Sequence, residues 1–138
     1  MTGIEALLYY VLWMIVLVLF YAGYRIPLVL TFKKPADAWG RGKPVEDPGI
    51  VVRASHAHAN SVENIPLFAA VVLAAAAMGQ SAVVDGLAAW VLYARVAQGV
   101  VHLIGTSFIL VLLRATFFLA QLGLIAYMAW GLLKTVGM

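Results

Sequence analysis

RASHAHANSVENIP, residues 53–66, places an arginine, two histidines, two asparagines and a glutamate at the head of a long apolar segment. On a helix turning about 100° per residue, Arg53, His56, Asn60 and Glu63 fall within a stripe of roughly 80°. His58 points roughly 200° away from His56, so the pair cannot easily chelate one ion from one helix. Zinc pairs on helices favour i, i+4 spacing. The stretch reads as the polar face of an apolar helix, and no metal site is expected.

The rest of the chain sets the solvent around that helix. Of 138 residues, 64% are hydrophobic and 11% charged, and the mean hydropathy is +0.99. A soluble domain is about 45–50% apolar and about 25% charged. The composition is that of an integral membrane protein, and the length allows one domain, 1–138. With no cysteine, disulfides, Cys-based zinc sites and a protein thiol nucleophile are excluded. Any thiol must arrive with a substrate. The first 24 residues do not read as a signal peptide: they lack a basic start, carry Glu5 and are apolar for too long.

Ala6 to Tyr24 is free of charge and close to the roughly 20 residues that cross a bilayer, and three further long apolar segments bring the spans to four. They are expected at about 4–31, 50–79, 82–105 and 108–136. This is an all-α, four-helix transmembrane bundle. Thr106 and Ser107 leave little room for a loop, so the last two helices form a tight antiparallel hairpin. Tyr9, Tyr10, Trp13, Tyr21 and Tyr24 read equally as interfacial anchors or as packing residues. Residues 33–49 form the one long polar loop, with Lys33, Lys34, Arg41 and Lys43 among prolines and glycines. Its GRGKP lacks the spacing and strand–helix context of a phosphate loop. The excess of positive charge places this loop in the cytoplasm and both termini outside, with Lys134 as a counter-vote. An inner or cytoplasmic membrane is expected. The net charge of +3 and pI near 9.4 report this orientation rather than nucleic-acid binding.

On that topology Arg25, Arg53, His56, Glu63, Arg95, His102 and Arg114 all fall toward the loop side. Intramembrane charges are costly and usually face a bundle interior or a wet cavity. Arg95, Gln98 and His102 make a second stripe at i, i+3, i+7. One polar pocket opening to the cytoplasm is expected. Arg25 and Arg53 read equally as headgroup-snorkelling residues. Glu63 lies deeper and needs an arginine partner, a ligand contact, or both. Asn60 and Gln98 also fit plain interhelical hydrogen bonding. A Ser/His/Asp arrangement is unsupported, because Asp85 is expected on the opposite side from His56 and His102.

RASHAHANSVENIPLF resembles the signature of the MAPEG family, membrane-associated proteins in eicosanoid and glutathione metabolism, approximately R-A-x-R-A-x-x-N-x-x-E-x-x-P. ARVAQGVVHLIG, followed by an arginine early in the fourth helix, is similar to the rest of the pattern. The resemblance covers nearly the whole chain. It implies a homotrimer with glutathione sites between subunits, open to the cytoplasm. It implies glutathione as co-substrate and a hydrophobic electrophile or lipid hydroperoxide drawn from the membrane lipids. Arg53, Asn60 and Glu63 match signature positions, with Arg53 for a carboxylate and Glu63 for the ammonium. His56, Arg95, Gln98 and His102 complete the expected glutathione-binding set. Arg114 resembles the arginine that stabilises the thiolate and is the expected catalytic residue; a cation nearby lowers a thiol pKa.

Three positions depart from the pattern. His56 stands where the family has arginine and cannot offer a bidentate fork. Val96 and Val100 stand where eicosanoid-forming members carry tyrosines. The leading expectation is a glutathione transferase or peroxidase. The alternative is a non-catalytic lipid-binding or scaffold protein of the same fold, and a third is a transporter built on Glu63, Arg95 and His102.

Overall fold

The computed structural model describes residues 1–44 and 46–137. Thr2 opens helix α1, Gly3–Leu30, with a capping box: its hydroxyl accepts from Glu5 N and the Glu5 carboxylate accepts from Thr2 N. Two orphan N–H groups of the helix start are satisfied this way. A third, Gly3 N, donates to Asp85 Oδ1 at 2.7 Å, from the first turn of α3. The loop-distant ends of α1 and α3 are thereby tied together.

Helix α2 spans Gly49–Ala77, α3 Ala82–Ile104 and α4 Phe108–Val136. All four are long and apolar enough to cross a membrane. Helix α2 ends two residues before the expected 79. Gly79 adopts φ +67°, and Gly79 N and Gln80 N reach back to the Ala76 and Ala75 carbonyls. This paired closure needs a left-handed residue, which glycine supplies without strain. The same closure ends α1, but there Phe32 takes the left-handed position at φ 59°. Helices α3 and α4 are joined by Gly105–Ser107 alone, and Ser107 Oγ accepts from Leu110 N to start α4.

Helix α3 is the central element, packing on α1, α2 and α4; α1 also packs on α2, and α1 and α4 do not pack together. The apolar core lies toward the loop-distant end, around Tyr10, Phe68, Val72, Val91 and Met128. Small residues let the helices approach: Ala6, Ala54, Ala75 and Ala88 are fully buried. Gly99 serves the same end, since a Cβ there would sit 2.7 Å from the Trp13 ring. The outer faces, α4 above all, carry exposed leucines, tryptophans and tyrosines suited to lipid contact.

Tyr10 settles its own ambiguity as a packing residue. It is 1% exposed and its hydroxyl donates to the Ser61 carbonyl at 3.1 Å. Tyr9 is exposed at the surface.

Candidate functional site

Above the apolar core a polar node joins the helices. Arg95 of α3, 1% exposed, is its centre. Its Nε donates to Gln121 Oε1 at 2.9 Å and its Nη1 to Asn60 Oδ1 at 2.7 Å. The guanidinium carbon lies 5.6 Å from the Tyr10 ring centroid, a cation–π contact from α1. Gln98 Nε2 donates to the same Asn60 oxygen at 3.1 Å, and Gln121 Nε2 donates to Gln98 Oε1 at 2.8 Å. A buried charge must be hydrogen-bonded to be tolerated; two neutral amides, Asn60 and Gln121, accept from it here, and Gln98 braces both. Arg95 Nη2 is buried without a partner among the described residues.

The two stripes expected on α2 and α3 thus face each other. Gln121, which completes the node, was not among the expected site residues. Its signal was present: it is an amide in an apolar span, seven residues after Arg114 and on the same helix face.

Toward the loop end the node opens into a cleft of about 260 Å³ between α3 and α4, lined by Asn60, Gln98, His102, Val111, Arg114, Ala115 and Phe118. Arg114 is half-buried, and its Nε is buried without a hydrogen-bond partner among the described residues. At the cleft's edge the His56 and His102 rings stand 6.4 Å apart. Arg53 closes the loop end of the bundle, donating from Nε to the Leu103 carbonyl at 2.9 Å. That carbonyl is among the last four of α3, which lack an intrahelical donor. Gly49 makes room for this arginine, since a Cβ there would fall 2.8 Å from Arg53 Nη1.

The structure separates two residues, Glu63 and Arg25, from the expected pocket. Glu63 sits midway along α2, exposed on the protomer, with no ion pair or hydrogen bond among the described residues. It does not pair with Arg95, whose Nε and Nη1 donate to Gln121 and Asn60. Glu63, Arg95 and His102 form no common cluster. Arg25 turns instead to the loop, where its Nε meets Asp47 Oδ2 at 2.9 Å. His58 points to α1, its Nδ1 lying 3.2 Å from the Tyr21 hydroxyl. Helical phase separates it from His56 as expected. Among the described residues no three His, Asp or Glu side chains gather as a metal site would require.

In the loop, the Lys43 ammonium donates to Asp37 Oδ2 at 2.7 Å and, by that bond and its charge, holds the carboxyl below the usual carboxylate range.

Four apolar spans around a buried amide–arginine node, with a cationic cleft at one end, define a multi-pass membrane protein of the four-helix bundle class. The chain belongs to the MAPEG family, whose profile matches residues 4–134 and so takes in the node, the cleft and all four spans. Comparison with curated proteins and with solved structures gave no match. Membership relates this membrane protein in general terms to glutathione and eicosanoid chemistry.

Proposed function

We propose that the protein is a membrane glutathione transferase or glutathione-dependent peroxidase acting on hydrophobic electrophiles or lipid hydroperoxides. The observation that carries this reading is Arg114: a cation in a cleft with a buried, unpartnered Nε. Glutathione suits that cleft, because a thiolate is an anion that the N–H groups of the Arg114 guanidinium lining it can hold. When bound, glutathione supplies the thiol. Arg114 lowers its pKa and stabilises the thiolate. Val111, Ala115 and Phe118 hold an apolar co-substrate against it and exclude water.

Asn60 and Gln98 fix the polar wall, oriented in turn by Arg95 and Gln121. Arg53, through the guanidinium nitrogens not used on Leu103, takes a carboxylate. His56 and His102 contribute imidazole contacts. Glu63 takes the ammonium. Its exposure on the protomer supports a homotrimer in which a neighbouring copy covers that face. A bare charge at the bilayer centre costs about 2.5–3.5 kcal/mol or more. The loop lies in the cytoplasm and the termini outside, in an inner or cytoplasmic membrane, with membrane lipids as neighbours and no metal in the chemistry.

Calorimetry on the detergent-purified trimer tests this reading. Millimolar glutathione is expected to bind; absence of binding in a trimeric sample sinks it.

A non-catalytic lipid-binding role is the second reading. An apolar groove of about 570 Å³ between α1 and α3, lined by Tyr9, Trp13, Leu92, Tyr93 and Val96, favours it, as does His56 in place of arginine. His56→Arg would then give no turnover, whereas wild-type conjugation of a halonitrobenzene would refute it.

A further inference from the structure

The thiol of glutathione must lose a proton before Arg114 can hold its sulfur as a thiolate. Arg114 cannot take that proton, because a guanidinium is already protonated and stays so. The Asn60 and Gln98 amides in the same cleft are not bases at neutral pH, and Val111, Ala115 and Phe118 are apolar. His102 is the one cleft-lining side chain whose lone pair takes a proton near neutral pH.

Its surroundings suit a proton acceptor. The imidazole is 9% exposed, in the last turn of α3. It faces the cleft and makes no hydrogen bond among the described residues, so a ring nitrogen is free to accept. The charged and titratable groups that face it are Arg114 of α4 and Arg53 and His56 of α2. Of these only His56 can pass a proton on. Its ring stands 6.4 Å from the His102 ring, tilted by 43°, and it is exposed at the cleft's edge. That separation is too long for a direct bond between the rings. Two hydrogen bonds of about 2.8 Å through one water, together with the ring radii, span it.

We propose that His102 is the base that removes the thiol proton and His56 the relay that passes it to loop-side water, a role that rests on the glutathione reading of the cleft. The S–H bond breaks and its electron pair stays on sulfur. The proton forms an N–H bond on His102, and the cleft's net charge is unchanged because imidazolium and thiolate appear together. The imidazolium then gives up a proton through the bridging water to His56. His56 gives one to the solvent, and both rings are neutral again. Arg114 sets how much thiolate stands at equilibrium; the imidazoles set how fast it forms. An arginine at position 56 could hold an anion but could not relay a proton.

Stopped-flow absorbance of the thiolate tests this division, with the detergent-purified full chain mixed with saturating glutathione. His102→Gln is expected to slow thiolate formation by about 10²-fold or more, as loss of a positioned base does. The final absorbance should be nearly retained, because Arg114 is intact, and that amplitude also shows the variant to be folded and loaded. His56→Gln, at an exposed position, should slow the same phase to a lesser degree. In His102→Ala, added imidazole enters the space left by the ring and should restore the rate, which a purely structural loss would not allow. Failure of the wild type to bind glutathione in calorimetry removes the glutathione reading and the relay together. Binding without thiolate formation, or a rate unchanged in His102→Gln, overturns the relay alone and leaves glutathione binding standing. If His102→Gln does not fold, His56→Gln decides: an unchanged rate overturns the relay, and a slowed rate restored by imidazole supports it.

Discussion

Arg95 on α3 donates from Nη1 to the side-chain oxygen of Asn60 on α2 at 2.7 Å. Asn60 lines the cleft, whereas Arg95 does not. The buried arginine therefore acts on the cleft through the amide it orients. Its cost of burial is offset by Gln121, Asn60 and the Tyr10 ring, one from each of the other helices.

Gln121→Leu should expose how much that node contributes. It leaves Arg95 Nε and Gln98 Oε1 without partners, at about 1–3 kcal/mol for an orphaned buried group. Neutral interhelical hydrogen bonds in membranes average only about 0.6 kcal/mol. A loss above about 1 kcal/mol in thermal or denaturant unfolding in detergent is expected, because the arginine is charged.

Two glycines of α3 should respond in opposite directions. Gly99→Ala drives a Cβ to 2.7 Å from Trp13, an overpacking expected to cost about 1–3 kcal/mol. Gly86 has nothing within 4 Å of its position, so Gly86→Ala should gain up to about 1 kcal/mol from helix propensity. Melting temperatures of the two variants, measured side by side, check the pair. Trp13→Leu combined with Gly99→Ala should recover part of the loss.

Arg114 makes no side-chain hydrogen bond among the described residues, so its removal should be felt in chemistry rather than in folding. Arg114→Leu is expected to leave the melting temperature nearly unchanged. It should lower kcat for glutathione conjugation by about 10²–10³, the loss seen when one preorganised charge-stabilising donor is removed. Thiolate absorbance of bound glutathione should fall in parallel at fixed pH. A stable variant with undiminished turnover would remove Arg114 from its proposed role.

Asp37 gives a pH signature in the loop. Lys43 depresses its carboxyl pKa in the folded protein. A depressed carboxylate favours the folded state above its ordinary, unfolded pKa. That contribution disappears as pH falls through the lowered folded value. Carboxyl-carbon NMR should place the Asp37 midpoint below the ordinary value near 3.9. Lys43→Met should return it upward, with little effect on global stability, because the pair is solvent-exposed.

The four spans were legible because hydropathy over some 20 residues is a strong, local signal. Their ends were less so: α2 stops at Ala77 because Gly79 closes it, a backbone event two residues inside the expected boundary. The facing of the Asn60 and Arg95 stripes followed from helical phase plus the need to bury charge. Partners were harder. Arg25 looked like a pocket or headgroup residue, yet Asp47, from a loop without periodicity, claims it. Glu63 was expected to find an arginine or a ligand; on the protomer it is exposed, and Arg95 donates instead to the uncharged amides of Asn60 and Gln121. Gln121 escaped notice because one amide in a 29-residue apolar helix gains meaning only when its neighbours in space are known.

The bond from Gly3 N to Asp85 joins residues 82 positions apart. Chain synthesis at about 5–20 residues per second separates their emergence by about 4–16 s. Helix α1 thus enters the bilayer with one end unfinished and waits for α3 to complete it. During that interval α1 has only α2 to lean on. The early hairpin is consequently the species that an insertase or a quality-control protease would meet, and Asp85→Ala would prolong its exposure without touching either helix's own hydropathy.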